Sequence, residues 1–155
     1  MSRDYSRDDH GRFASIASSG ASSKEHAAKA TEHAATSKAH SEMAKDHARK
    51  ATAHAKQSTT HSNQGEHAKA HAEHDKAEHH HGKAEEHAGH AADHHAEGSA
   101  HGHAAHAKAE HGGEQIHAHA AEEGLLNAGE MLAGAREMIM EAGNSGSLGS
   151  GGPPE

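Results

Sequence analysis

The sequence predicts an all-α protein: an extended Ala/His-rich helical repeat rod with a C-terminal amphipathic helix, flexible termini and no globular core. Alanine supplies 35 of the 155 residues, and the helix formers Lys and Glu surround it. Histidine occurs 23 times and recurs at intervals of seven, which is a helical period. Between Ile16 and Ile116 the sole large apolar side chain is Met43. Because alanine buries little area, such a stretch cannot offset the entropy of ordering a compact core.

Composition divides the chain into four segments. Ser22, followed three residues later by Glu25, forms a capping box and predicts the start of the first helix. The sequence SNQG at 62–65 predicts a break, and the pair Gly112-Gly113 predicts the end of the repeat. The segments are a flexible N-terminal arm (1–21), the Ala/His-rich helical repeat (22–111), an amphipathic docking or oligomerisation helix (114–143) and a Gly/Ser/Pro tail (144–155).

Histidines of the repeat follow three registers of seven. In the first register, small residues stand one and four positions after each histidine, so that histidine and small side chains share one helix face. Two interpretations are open: a contact surface along which a second helix packs closely, or a solvated alanine-rich helix produced by repeat expansion. The registers are His26, His33, His40, His47, His54 and His61; His67, His74 and His81; and His80, His87, His94 and His101.

The 114–143 segment carries a true apolar stripe. Leu125, Leu132 and Ile139 fall at one heptad position, with alanines three residues later. Because the repeat offers little apolar surface, we expect this stripe to contact another chain, in a homo-oligomer or a larger coiled-coil assembly. The alternative is a hairpin that packs the stripe onto the repeat of the same chain. The expected interface residues are Leu125, Ala128, Met131, Leu132, Ala135, Met138 and Ile139.

Charge and composition exclude several classes of function. The net charge is −8 with neutral histidines, so we expect no nucleic-acid binding at neutral pH. Protonation of all 23 histidines would add 23 charges and change −8 to +15. The chain lacks cysteine and any long apolar run, so we expect no thiolate site and no membrane association. Nothing positions a catalytic constellation, and we expect no enzymatic activity.

Metal binding is the chemistry that this composition favours, because imidazole is a good ligand for Zn, Ni and Cu. Histidines seven apart stand two turns, about 10.5 Å, from one another, which is too far for one ion. Histidines three or four apart are neighbours on one helix face. Two trios have this spacing, and we expect them to hold the metal, although none is required for folding. They are His67, His71 and His74, and His87, His90 and His94.

A short N-terminal segment resembles a known class. Residues 7–15, RDDHGRFAS, are similar to the R-D-x-x-G-R-F segment found near termini or domain junctions of many bacteriophage and prophage virion-associated proteins. The resemblance covers nine residues. It implies a small accessory or assembly protein that contacts capsid or tail proteins, located in the virion or the host cytoplasm.

Two functional hypotheses follow from these features. The first is a non-enzymatic helical structural or assembly protein, a minor virion or scaffold-like component that docks through its C-terminal helix. The alternative is a histidine-rich protein that binds Zn, Ni or Cu. The two hypotheses differ in the residues that matter: the first depends on Leu125, Leu132 and Ile139, and the second depends on the histidines.

Overall fold

The structure, a computed structural model, describes residues 20–145 and confirms the all-α prediction. Three helices make up this part of the chain: α1 (Ser23–Asn63), α2 (His67–Lys108) and α3 (Gly112–Asn144). The described residues contain no strand. Among them, none of the helices combines the length and apolar character that crossing a membrane would need. The arm up to residue 19, the tail from 146 and the RDDHGRFAS segment lie outside the described residues.

The helix ends follow the signals in the sequence. The backbone N–H of Ser22 donates to Glu25 Oε1 (2.8 Å), and the N–H of Glu25 donates to Ser22 Oγ (3.1 Å), which confirms the predicted capping box. The predicted break is also present. Gly65 takes a φ of 79°, and the N–H of Glu66 bonds the carbonyl of His61 across the turn (2.8 Å). The second break lies just before Gly112, which begins α3.

Contacts divide the chain into two compact units, and each unit contains a segment of every helix. Within the described residues, the first unit combines 20–38 with Ala91–Glu130, and the second combines Ala39–His90 with 131–145. These units cut across the linear segments predicted from composition, because helices that are distant in sequence pack side by side.

Small side chains let the helices of the first unit approach closely. The hydroxyls of Ser23 and Ser37 on α1 donate directly to the carbonyls of Ala105 and Ala91 on α2, at 2.7 and 2.8 Å. Leu125 of α3 covers the backbone of α2, where a Cβ atom on Gly98 would lie 2.6 Å from its Cδ2. The buried cluster of this unit consists of Ala27, Ala30, Ala34, Ala105, Ala118, Ala121, Leu125 and Ala128.

The second unit is built in the same way. The hydroxyl of Ser58 donates to the carbonyl of Ala70 at 2.8 Å, which joins α1 to α2 near their turn. Ala55 and Ala77 pack together in the interior. From α3, Leu132 and Ile139 are buried, with 6% and 8% of their surfaces exposed.

The structure corrects two expectations. The expectation of no core is wrong for the described residues, because alanines surrounded by three helical segments lose nearly all contact with water. The expected intermolecular interface also needs correction, since most of its stripe is buried against the same chain. Leu125, Ala128, Leu132, Ala135 and Ile139 are buried in the single chain, and Met131 and Met138 are half-buried. The alternative interpretation, packing within the chain, describes this stripe.

Candidate functional site

Paired histidines join α1 to α2 in the first unit. The Nδ1 atoms of His26 and His101 lie 3.0 Å apart, and those of His33 and His94 lie 3.1 Å apart. The residue number rises by seven in α1 as it falls by seven in α2, so the two segments are antiparallel. At these distances one nitrogen carries the proton and donates it to the other, bare nitrogen. Each histidine pair therefore holds together only while one of its two Nδ1 atoms is unprotonated.

The second unit contains two kinds of hydrogen-bonded side-chain pair across the hairpin of α1 and α2, and each such pair is called a rung. Two are histidine pairs like those of the first unit, and two join a histidine of α1 to a glutamate: Glu73 of α2 and Glu66, which immediately precedes α2. The glutamate rungs lie next to the turn and carry a carboxylate acceptor, which a protonated imidazole can still donate to. The paired atoms are those of His40–His87 (3.2 Å), His47–His80 (3.1 Å), His54–Glu73 (2.6 Å) and His61–Glu66 (2.7 Å).

The imidazole rings also stack between neighbouring rungs. In the second unit, the ring of His80 lies between those of His47 and His54, with centroid distances of 5.3 and 5.5 Å. The rings of His54 and His80 are nearly parallel, at 2°. In the first unit, His101 lies between His26 and His33 in the same way, at 5.2 and 5.6 Å. The histidine row is thus a packed contact surface, which was the first of the two interpretations of the repeat.

The two kinds of rung respond to protons in opposite ways. Burial lowers the pKa of His47 below its ordinary 6.5, and the charges of His87 and Lys50 lower it further. Burial also lowers the pKa values of His26, His80 and His101. For Glu73 the hydrogen bond from His54 is the main cause of a lowered pKa, so this carboxylate stays ionised in mild acid.

One histidine pair has a carboxylate beside it, and these three residues could hold a metal ion. Glu97 Oε1 lies 3.6 Å from Nδ1 of His33, while His33 and His94 are 3.1 Å apart. All three ligand atoms lie within 4.8 Å of one another. A tetrahedral ion at about 2.0–2.1 Å from each ligand places neighbouring ligand atoms about 3.3–3.4 Å apart. The group is therefore close to the geometry that a metal requires.

A second group of this kind joins α2 to α3 in the first unit. It consists of His106, His119 and Glu122, whose ligand atoms also lie within 4.8 Å of one another. Oε1 of Glu122 is 3.2 Å from Nε2 of His106 and 3.6 Å from Nδ1 of His119. Because His119 and Glu122 are three apart on α3, they present their side chains on one face. This group is more exposed than the first, with 71% of the His119 side chain accessible.

The predicted histidine trios do not coincide with these groups. His71 is 78% exposed and faces Asp75 at 3.6 Å, and His74 faces Glu78 at 3.6 Å. His87 pairs with His40, and His94 is the one predicted ligand that belongs to a group. The sequence did not predict the other members, because spacing within one helix does not show which residues of a second helix lie beside it. Those members are His33, Glu97, His106, His119 and Glu122.

The signal that could have located the first group is present in the sequence. The row His80, His87, His94 and His101 has the same period as the row that includes His33, and an antiparallel hairpin brings two such rows face to face. Continuing that row by steps of seven residues toward the turn reaches Glu73 and Glu66. The histidine–glutamate rungs could therefore have been predicted from the sequence as well.

Comparison with known proteins adds no constraint to this geometry. No protein-family model matches the chain, and no match was found among curated proteins or solved structures.

Proposed function

We propose that this protein is a non-enzymatic helical protein that binds a divalent transition-metal ion, Zn²⁺, Ni²⁺ or Cu²⁺, between α1 and α2 of its first unit. The observation that supports the proposal is the grouping of His33, His94 and Glu97 within 4.8 Å. Two imidazoles and one carboxylate are ligands that these metals accept. The site is partly shielded from water, since 21% of the His33 side chain and 26% of that of Glu97 are exposed.

The metal would take the place of the proton that His33 and His94 share. Both Nδ1 atoms must be bare to bind the ion, so the shared proton moves to Nε2 of the same neutral imidazole, and binding is favoured where both rings are neutral. The ion would then join the two helices with coordinate bonds in place of one hydrogen bond. Because the ion binds the folded chain, saturating metal should raise the stability, by about 2.7 kcal/mol at one hundred times the Kd.

Zinc titration of matched variants tests this site. We expect His33→Ala to lose one equivalent of zinc in calorimetry at about pH 7.5, because removing a ligand costs more than the 10–100-fold that an outer-shell change costs. The matched control is His71→Ala, which removes an exposed histidine of a predicted trio and should leave the titration unchanged. Loss of binding in His71→Ala with full binding in His33→Ala would contradict the proposal and favour the trio.

We also propose a compatible structural role, in which copies of the chain associate through an exposed apolar surface of α3. Its supporting observation is that Ile116 and Leu126 are 68% and 62% exposed. The resemblance of residues 7–15 further supports a component of a phage-like particle. Sedimentation should show self-association of the wild-type chain that the double variant Ile116→Ser, Leu126→Ser abolishes. A wild-type chain that stays monomeric at all concentrations would contradict this role.

A further inference from the structure

A small cavity lies beside the second metal group of the first unit. Its volume is about 180 Å³, and it opens between α2 and α3. His106 and Glu122, two of the three candidate ligands, are part of its wall. An ion held by this group would therefore stand at the edge of the cavity.

A tetrahedral ion held by three protein ligands has one coordination position left open. Zinc sites with three protein ligands, including sets of two histidines and one carboxylate, keep the fourth position for water or an exogenous ligand. Here His119 is the ligand that does not border the cavity, so the ion would have protein on one side and the cavity on the other. Glu122 is the sole anionic ligand in the group, and a divalent ion would keep one positive charge that favours an anion.

The cavity wall suits a ligand with a short apolar body. Leu125 and Leu126 form its apolar side, and Gly102 of α2 contributes backbone without a side chain. A Cβ atom on Gly102 would come within 3.1 Å of Leu125, which shows how closely the two helices pack at its base. The volume is below the roughly 300–1,000 Å³ of pockets for drug-sized ligands, so only a small molecule fits.

We propose that a metal ion held by His106, His119 and Glu122 binds a short-chain aliphatic carboxylate, whose oxygen takes the open coordination position while its alkyl chain lies against Leu125 and Leu126. This inference rests on the proposed metal binding, but it concerns a different centre from that of His33. The carboxylate supplies the negative charge, and the leucines supply the apolar contact. Neither part alone explains why the two candidate ligands open onto a cavity that also presents two leucines.

Calorimetry with butyrate and acetate tests the proposal on the full chain. In the His33→Ala background zinc loads the second centre alone, and butyrate is then titrated into the zinc-loaded and metal-free forms. We expect butyrate to bind the zinc-loaded form with one equivalent and the metal-free form not measurably. Since each buried methylene multiplies affinity about fourfold, the two additional methylenes of butyrate should make it bind about fifteenfold more tightly than acetate.

Variants of the cavity wall separate the possible outcomes. Ser99→Leu fills the cavity without changing a ligand, so it should weaken butyrate binding about tenfold and leave zinc and acetate binding unchanged. Equal affinities for butyrate and acetate, or no effect of Ser99→Leu, would overturn the proposal. So would zinc binding without butyrate binding, for instance if His103 takes the fourth position. That last result leaves the proposed function intact, whereas a wild-type chain that binds no zinc refutes both.

Discussion

Acidification from about pH 7.5 to pH 5 is expected to open the His26–His101 and His47–His80 pairs while the histidine–glutamate rungs stay closed. In the second unit, protonating both members of the His47–His80 pair removes its acceptor and places two cations 3.1 Å apart. The His54–Glu73 rung keeps its acceptor, because the Glu73 carboxylate stays ionised. The two helices of this unit should therefore separate from the end distant from the turn.

The lowered pKa values fix the direction of this pH dependence. His47 and His80 titrate below 6.5 in the folded chain, so the unfolded chain takes up protons first as the pH falls. Their stabilising contribution is present above about 6.5 and is lost through the lower pKa of the folded state. Glu73 has its pKa lowered from 4.5, so its contribution persists until the pH falls below that value. The His47–His80 pair should therefore open while the His54–Glu73 rung stays closed at pH values between about 6.5 and 4.5.

Urea unfolding at the two pH values measures the effect. A lost hydrogen bond costs about 1 kcal/mol, so opening the His26–His101 and His47–His80 pairs should together cost about 2 kcal/mol. The variant His80→Glu converts a histidine pair into a histidine–glutamate rung, and it should lose less stability in acid than the wild type. Hydrogen exchange should show early loss of protection around His47 with retention around His54. Equal stability at both pH values, or an acid loss that His80→Glu does not reduce, would contradict the assignment of opposite responses.

Leu132→Asp is expected to unfold the chain instead of dissociating an assembly. Leu132 is 6% exposed, so the variant replaces buried apolar contacts with a carboxylate that has no partner. Loss of a buried leucine costs about 2–5 kcal/mol, and the buried charge adds to it. Met140→Asp is the matched control, because Met140 lies on the same helix in the same unit and is 67% exposed. Its effect should stay within about 0.5 kcal/mol.

Urea unfolding and sedimentation together distinguish packing within the chain from packing between chains. If the stripe is buried within one chain, Leu132→Asp should lose much of its stability. Its sedimentation should then show no species smaller than those of the wild type. A drop in mass with unchanged stability would instead restore the intermolecular interpretation of the apolar stripe. Similar losses in Leu132→Asp and Met140→Asp would show that the side chain of Leu132 is not buried as described.

Local features of the fold were predictable from the sequence, and contacts between helices were less so. The capping box at Ser22 and the break before Gly65 depend on neighbouring residues, and both are present. The sequence predicted the apolar stripe of α3 but not what it packs against. Alanines of the same chain were not expected to provide a packing surface for Leu125. Likewise, spacing within one helix suggested His87 and His90, whereas the metal groups take ligands from two helices. Such sites depend on the register between helices, which no single-helix pattern contains.

The periodicity of the histidine rows leaves the alignment of α1 and α2 ambiguous by whole heptads. Sliding one row by seven residues would set His47 opposite His87 and His54 opposite His80, so imidazole would again meet imidazole. Identical pairs therefore permit several nearly equivalent registers, which is the kind of degeneracy that creates competing compact states. Leu125 lies outside the histidine rows, and it packs over Gly98 at the position where His33 also approaches. In the first unit the contact between Leu125 and Gly98, rather than the histidine pairs, selects one of the alternative alignments of α1 and α2.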